Sequence, residues 1–237
     1  MTQVMTGIEN ICNICMLNKV NLTMDTNDGK LHDMRADYVA GDFTEQNAYP
    51  SPMQQFALWF EEATQNGIQE ANALVLSTVD AAGKPSSRVV LLKEFTDAGF
   101  IFFTNYNSRK GKEIAQNPYA CMNFWWGSME RQIRINGKLE KIAGADSDTY
   151  FYSRPIGSQV GAMISPQSEV ISSREWLEQK FIEQQLKGEI KRPENWGGYI
   201  LIPETFEFWQ GRTNRLHDRL HYTKQASGQW EISRLAP

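Results

Sequence analysis

Apolar and polar positions change period along the chain. Near residues 51–67 the period is helical. Ser51 is placed to cap, Pro52 to occupy the first helical position, and Phe56, Trp59, Phe60 and Ala63 to share one face before Gly67. From Ala73 the texture turns to short β-branched runs between turn residues. Ala73 to Val79, Ser86 to Leu92, Phe100 to Thr104, Tyr119 to Trp126, Gln132 to Ile142, Tyr199 to Ile202, Phe206 to Gln210, Leu216 to Thr223 and Trp230 to Ser233 are expected as strands. Short turns such as Asp80 to Pro85 and Asp97-Ala98-Gly99 join neighbours, which implies antiparallel pairing. Further helices are expected from Ser108 to Asn117-Pro118, from Asp146 to Arg154 before Pro155, and from Ser173 to about Leu186. The last is opened by a Ser172-x-x-Glu175 capping box and packs through Trp176, Leu177 and Phe181. The helices fall between runs of strands instead of alternating with them. The expected class is therefore α+β, mainly β: an antiparallel barrel with peripheral helices.

Composition narrows the function classes. A chain of 237 residues, 41% hydrophobic and 11% aromatic, can bury a large core. The formal net charge of -4 argues against nucleic acid or an anionic membrane as the main partner. Cys12, Cys15 and Cys121 cannot build a disulfide framework, and no apolar run approaches the roughly 20 residues of a membrane span, so a cytoplasmic protein is expected. No Gly-x-Gly-x-x-Gly opens a helix and no P-loop is present. Residues 1–34 lack periodicity and the basic start of a signal peptide. They are expected as a loosely ordered extension before a single domain over residues 35–237. Cys12-x-x-Cys15 has the spacing of half a zinc site or a redox pair, but no second pair follows, no strand precedes it, and His32, His217 and His221 show no ligand spacing with the cysteines, so no metal is expected.

Two stretches concentrate charge. After Ser108, Arg109 and Lys110 oppose the macrodipole of the helix they begin, at a cost of up to about 1 kcal/mol each. A bound phosphate would reverse that balance, and a solvated basic turn is the alternative. Arg88 and Lys93 bracket the apolar run Val89 to Leu92, where a barrel position would hold their charges near buried surface. Near the end of the chain, an extended Arg215 to Arg219 would put Arg215, His217 and Arg219 on one face, with Trp209 upstream as an apolar wall. That row is either a ligand site or an exposed strand of mixed charge. Tyr150 and Arg154 share a helical face at i, i+4.

Glu207-Phe208-Trp209-Gln210, followed after four positions by Arg215-Leu216-His217-Asp218-Arg219, resembles the signature of the pyridoxine/pyridoxamine 5′-phosphate oxidases. The resemblance continues through Arg88 to Lys93, Phe103-Thr104-Asn105, Ser108-Arg109-Lys110, Glu130-Arg131-Gln132, Ser153-Arg154-Pro155, Ser158-Gln159, Gln167-Ser168 and Arg234 to Pro237, and covers about Arg35 to Pro237. It implies an FMN-binding split β-barrel, a homodimer with flavin sites at the subunit interface, acting in vitamin B6 salvage or biosynthesis. The implied reaction is oxidation of pyridoxamine or pyridoxine 5′-phosphate to pyridoxal 5′-phosphate by oxygen, yielding peroxide and, from the amine, ammonia.

By position, the resemblance implies FMN contacts from Arg88, Val89, Val90, Leu91, Leu92, Lys93, Phe103, Thr104, Arg109, Lys110, Gln132, Gln167, Ser168, Trp209 and Arg219. Tyr150, Arg154 and Ser158 would hold the substrate phosphate. Arg35, Tyr38, Lys93, Arg215, Leu216 and His217 would contact the rest of the substrate, with Arg215 and His217 as the catalytic pair. A split-barrel flavin reductase, which should lack the Tyr150, Arg154 and Ser158 set, is one alternative. A non-catalytic carrier of flavin or pyridoxal phosphate is another.

Overall fold

The computed structural model describes residues 37–39 and 41–237. The expected extension, Cys12, Cys15 and Arg35 lie outside the described residues. Helix α1, Pro52–Gln65, forms as the pattern predicts: Ser51 Oγ accepts from the Gln54 N–H at 3.4 Å and Pro52 starts the first turn. Its apolar face carries Phe56, fully buried, whose ring meets those of Phe60, Phe95, Phe100 and Phe124 at centroid distances of 4.8 to 5.8 Å. This aromatic cluster plugs the concave side of the sheet.

The sheet has nine strands: β1 Ala73–Val79, β2 Pro85–Leu91, β3 Glu94–Thr96, β4 Gly99–Asn105, β5 Tyr119–Trp126, β6 Arg131–Lys141, β7 Trp196–Gln210, β8 Asp218–Lys224 and β9 Trp230–Arg234. Every pairing is antiparallel, in the order β2-β1-β5-β6-β7-β4-β3, with β8 and β9 branching from β7. The expected antiparallel barrel with peripheral helices is present as a curled half-barrel.

β7 corrects the sequence reading, which divided it in two around Pro203. The strand continues because Pro203 and Glu204 sit at a bulge: Gly137 faces Pro203 while its neighbour Asn136 faces Thr205. At this point β7 also changes partner. Trp196 to Leu201 pair with β4 and Thr205 to Gln210 pair with β8, while β6 lies alongside β7 from Tyr199 to Gln210. The sheet splits there.

The remaining helices are α2 Arg109–Gln116, α3 Gly144–Ser153, α4 Ile156–Ile164 and α5 Arg174–Lys187. α4 was not expected, because Pro155 was read only as a stop; proline is equally suited to a helix start, where a missing N–H costs nothing. The cap of α5 is Ser173, which accepts from the Trp176 N–H at 3.1 Å, so the box anchored on Ser172 is displaced by one residue. Within this chain Trp176 is exposed and Leu177 and Phe181 are only half-buried, so the expected packing face is incompletely covered.

A Cβ at Gly137 would lie 2.1 Å from the Ile202 carbonyl oxygen, in backbone that cannot yield cheaply. Gly137→Ala should destabilise the protein by about 1–3 kcal/mol, read as a lowered urea midpoint. An unchanged midpoint would mean that the bulge is not tightly closed.

Candidate functional site

β4 and the start of α2 bring the first cationic group together. Ser108 caps α2 by accepting from the Gly111 N–H at 3.3 Å. Lys110, only 8% exposed, directs Nζ to Thr104 Oγ1 at 3.2 Å, Ser108 Oγ at 3.3 Å and Gln167 Oε1 at 3.0 Å. Burial, then the nearby Arg88 charge, pulls its pKa down to about 8, with Glu113 opposing.

The charge conflict expected at this helix start is partly resolved inside the chain. Glu113 Oε1 accepts from Arg109 Nε at 2.9 Å, and its Oε2 accepts from Thr78 Oγ1 at 2.5 Å, Ser86 Oγ at 2.6 Å and Arg88 Nη2 at 3.1 Å. Burial by itself would raise the Glu113 pKa, but these donors together hold it at about 2. Arg88 also donates to the Leu76 carbonyl at 3.2 Å and to Thr78 and Ser86. Arg88 and Arg109 are thus neutralised internally, whereas all three bonded partners of Lys110 are neutral oxygens.

The expectation that a barrel position holds the Arg88 and Lys93 charges near buried surface fits half-buried Arg88 and fails for Lys93, which is exposed, as is Val89 at 67%. The reason is position: β2 is a sheet edge, so one side of its backbone is free to bond elsewhere. Beside α2 lies a cleft of about 340 Å³ lined by Arg109, Lys112, Gln167, Ser168 and Glu169 among others.

Phe103 connects this group to α3. Its ring stacks on Tyr150 at 3.9 Å and on Trp196 at 5.6 Å. Arg154, just past the end of α3, lays its guanidinium 4.7 Å from the Trp196 ring centre. Its Nη1 is buried without a hydrogen-bond partner, and burial lowers its pKa. Ser158 lies exposed in the first turn of α4.

The second group gathers at the far end of β7. Trp209 stands in register with Gln132 on β6 and Arg219 on β8. The extended row from Arg215 to Arg219 is not found. Thr213–Arg215 is a turn of 3-10 helix with Asn214 at φ 55° and Arg215 at φ 60°, and β8 begins only at Asp218. The chain must reverse between paired residues Gln210 and Asp218, and that loop consumes the alternation.

His217 nonetheless meets Trp209, with centroids 4.7 Å apart, and Tyr38 packs edge-on against both rings at 5.6 Å. Gly211 permits this approach: a Cβ there would lie 2.8 Å from the Tyr38 ring. The Arg212 N–H donates to His217 Nδ1 at 3.1 Å, which places the proton of the neutral ring on Nε2. Burial, then the Arg215 charge, lowers the His217 pKa. Arg219 Nε donates to Glu207 Oε1 at 2.8 Å and its Nη1 to the Ala236 carbonyl at 2.6 Å.

The two groups do not converge within one chain. Lys110, Tyr150 and Arg154 cluster around the Trp196 end of β7, while His217, Tyr38 and Arg219 surround Trp209, roughly 40 Å further along the strand contour. Sequence reasoning missed Glu113, although its spacing four residues after Arg109 was a readable helical ion-pair signal. Glu207 and Gly211 carried no comparable local signal. Among the described residues no group of three or more His, Cys, Asp or Glu could hold a metal, and no helix is long and apolar enough to cross a membrane.

Comparison with known proteins follows this division. Residues 60–187 match the pyridoxamine 5′-phosphate oxidase family profile, and residues 196–237 match the pyridoxine 5′-phosphate oxidase C-terminal dimerisation region. A pyridoxine/pyridoxamine 5′-phosphate oxidase of a Nostoc species is 51% identical over 213 residues, 89% of this chain and 100% of its own. The chain belongs to the pyridoxine/pyridoxamine 5′-phosphate oxidase family. The relative of that name from Cupriavidus necator is 50% identical over 88% of this chain and 99% of its own. Among solved structures, PhzG of Burkholderia lata in complex with tetrahydrophenazine-1-carboxylic acid superposes with a TM-score of 0.79 at 28% identity, over 84% of this chain and 99% of that one. A pyridoxamine 5′-phosphate oxidase-related, FMN-binding protein of Nostoc punctiforme shares the split-barrel fold, with a TM-score of 0.66 at 17% identity over 80% of this chain and 100% of that one. In this oxidase-family chain, Lys110, Tyr150 and Arg154 fall within the first matched region, and Trp209, His217 and Arg219 within the second.

The depressed Lys110 pKa has a pH consequence for the unliganded protein. Between about 8 and the ordinary 10.5, the unfolded chain holds a proton that the folded chain has released, so stability rises with pH across that window. The rise should reach roughly 3 kcal/mol at most. Urea titrations should show it in the parent protein and not in Lys110→Met, which should be the more stable of the two at pH 7.

Proposed function

We propose that this protein oxidises pyridoxamine and pyridoxine 5′-phosphates to pyridoxal 5′-phosphate with FMN and oxygen, as a homodimer whose sites are shared between chains. The observation that carries the reading is a pair of cations without carboxylate partners, the buried Lys110 and the half-buried Arg154 with its Nη1 buried and unbonded, flanking the stacked Phe103 and Tyr150 rings. An uncompensated buried charge is costly unless an anion arrives. Two such charges beside aromatic rings suit two phosphorylated aromatic molecules, a cofactor and a substrate.

The residues present fit FMN. Lys110, with the α2 N-terminus, Thr104, Gln167 and Ser168, would take its phosphate, while Arg109 and Arg88 lend charge from the Glu113 clamp. The open edge of β2 would offer backbone groups to the ring. Bound FMN would supply the two-electron redox chemistry that links oxidation at the substrate C4′ carbon to reduction of oxygen to hydrogen peroxide. Everything else falls to binding and orientation.

Arg154, Tyr150 and Ser158 would hold the substrate phosphate, a bidentate task suited to Arg154, with Lys93 nearer the pyridine ring. From the second chain, Gln132, Trp209 and Arg219 would complete the flavin site, and Tyr38, Arg215, Leu216 and His217 would cover the substrate. His217 holds its proton at Nε2, because Nδ1 already accepts from Arg212. In that tautomer it donates a hydrogen bond to developing negative charge and cannot accept a proton at Nε2.

The purified protein should be yellow, bleach anaerobically with pyridoxine 5′-phosphate and form pyridoxal 5′-phosphate and peroxide in air. Flavin binding without turnover would indicate a carrier instead. Shared sites make a second outcome quantitative. Arg154→Ala and His217→Ala should each keep flavin and lose roughly 10- to 1000-fold in kcat/KM. Refolded together from an equal mixture, they should recover about a quarter of parental activity, since half the dimers are mixed and each mixed dimer has one intact site. No recovery would place both residues in the same chain's site.

A further inference from the structure

We propose that Asp218 is a positioning residue: its carboxylate latches the Tyr38-bearing segment over His217 and fixes the loop that sets the His217 tautomer. The inference deepens the proposed reading and rests on it. Three stretches distant in sequence meet on this side chain. Asp218 Oδ2 accepts from the Phe43 N–H at 3.1 Å and from Arg212 Nη1 at 3.2 Å, while Oδ1 accepts from Arg234 Nη1 at 2.7 Å. Its side chain is only 14% exposed. Arg234 in turn grips the same N-terminal segment, reaching Glu45 Oε1 at 2.9 Å and Oε2 at 2.7 Å, and the Phe43 carbonyl at 3.5 Å.

Each contact acts on the candidate site through another group. Phe43 and Glu45 lie five and seven residues after Tyr38, so holding them restricts where the Tyr38 ring can rest against Trp209 and His217. Arg212, held by its side chain, is the residue whose N–H occupies His217 Nδ1. Within β8, alternation sets Asp218 and Arg219 on opposite faces, and the Asp218 carboxylate is taken up by Phe43, Arg212 and Arg234, so it acts on the site through them. Charge-assisted hydrogen bonds on a mostly buried carboxylate are strong enough to favour one arrangement of a short segment. Anchoring of Phe43 in the aromatic core, 4.9 Å from Trp59, makes the segment a hinged strap instead of a free tail.

The test uses the full chain with FMN bound. Asp218→Asn removes the charge that Arg212 and Arg234 share, and Glu45→Gln weakens the Arg234 grip on the segment while leaving Asp218 and Arg212 intact. Asp218→Asn should raise KM for pyridoxine 5′-phosphate about tenfold and lower kcat, with flavin affinity unchanged. Glu45→Gln should raise KM less and leave kcat alone. Hydrogen exchange at residues 41–47 should accelerate in both. The histidine nitrogen chemical shifts of Asp218→Asn should show loss of the single His217 tautomer. Parental KM in both variants, or loss of flavin and thermal stability in step with activity, would overturn the latch. Absence of turnover in the parental protein would instead overturn the functional reading.

Discussion

Strand β7 can serve two different neighbours on one edge only because β6 yields at Gly137, where any side chain would collide with the Ile202 carbonyl. The bulge at Pro203 and Glu204, facing Gly137, absorbs one residue and bends the ladder, so that β4 follows the first half of β7 and β8 the second. Everything of functional interest hangs from these two arms. The first carries Phe103, Thr104 and the helix start at Lys110, with Tyr150 and Arg154 packed onto Trp196. The second carries Trp209, Arg219 and the loop that presents His217. A single long strand therefore separates what the proposed chemistry must unite, and a second copy of the chain is the economical way to unite it.

Electrostatics divides the cations of the first arm into two kinds. Glu113 is a buried carboxylate with four donors, and it satisfies Arg88 and Arg109 without any ligand. Lys110 is buried among neutral oxygens, and half-buried Arg154 keeps one buried nitrogen with no hydrogen-bond partner. A protein selected for stability alone gains nothing from that arrangement, because apolar replacements of similar volume would serve better. Sites that receive anions carry this cost in the empty state and recover it on binding.

The second arm is organised by hydrogen bonds that decide orientation. The neutral His217 ring could carry its proton on either nitrogen, and the Arg212 N–H selects one. Tyr38 and Trp209 enclose the ring on two sides, and Gly211 makes room for them. Glu207, buried between Arg134 and Arg219, ties β6, β7 and β8 together beside Trp209.

Period and punctuation alone determined much of this protein. The α1 face around Phe56, the alternation of the nine-stranded sheet, the Ser108 cap and the antiparallel class all follow from local rules of side-chain direction and turn chemistry. The motif around Trp209 and His217 was likewise legible, because it is contiguous. What the sequence could not supply was where neighbours arrive from far away. Lys93 was expected beside buried surface, since nothing local says that β2 lies on an edge. The Arg109–Glu113 pair was readable as a helical spacing, but only tertiary packing brought Thr78, Ser86 and Arg88 onto the same carboxylate. The row from Arg215 to Arg219 read as a strand because alternation is a local property, whereas the place where β7 must turn back into β8 is set by pairing across the sheet. Local periodicity fixes which face a residue can occupy; only the completed sheet decides what stands opposite that face.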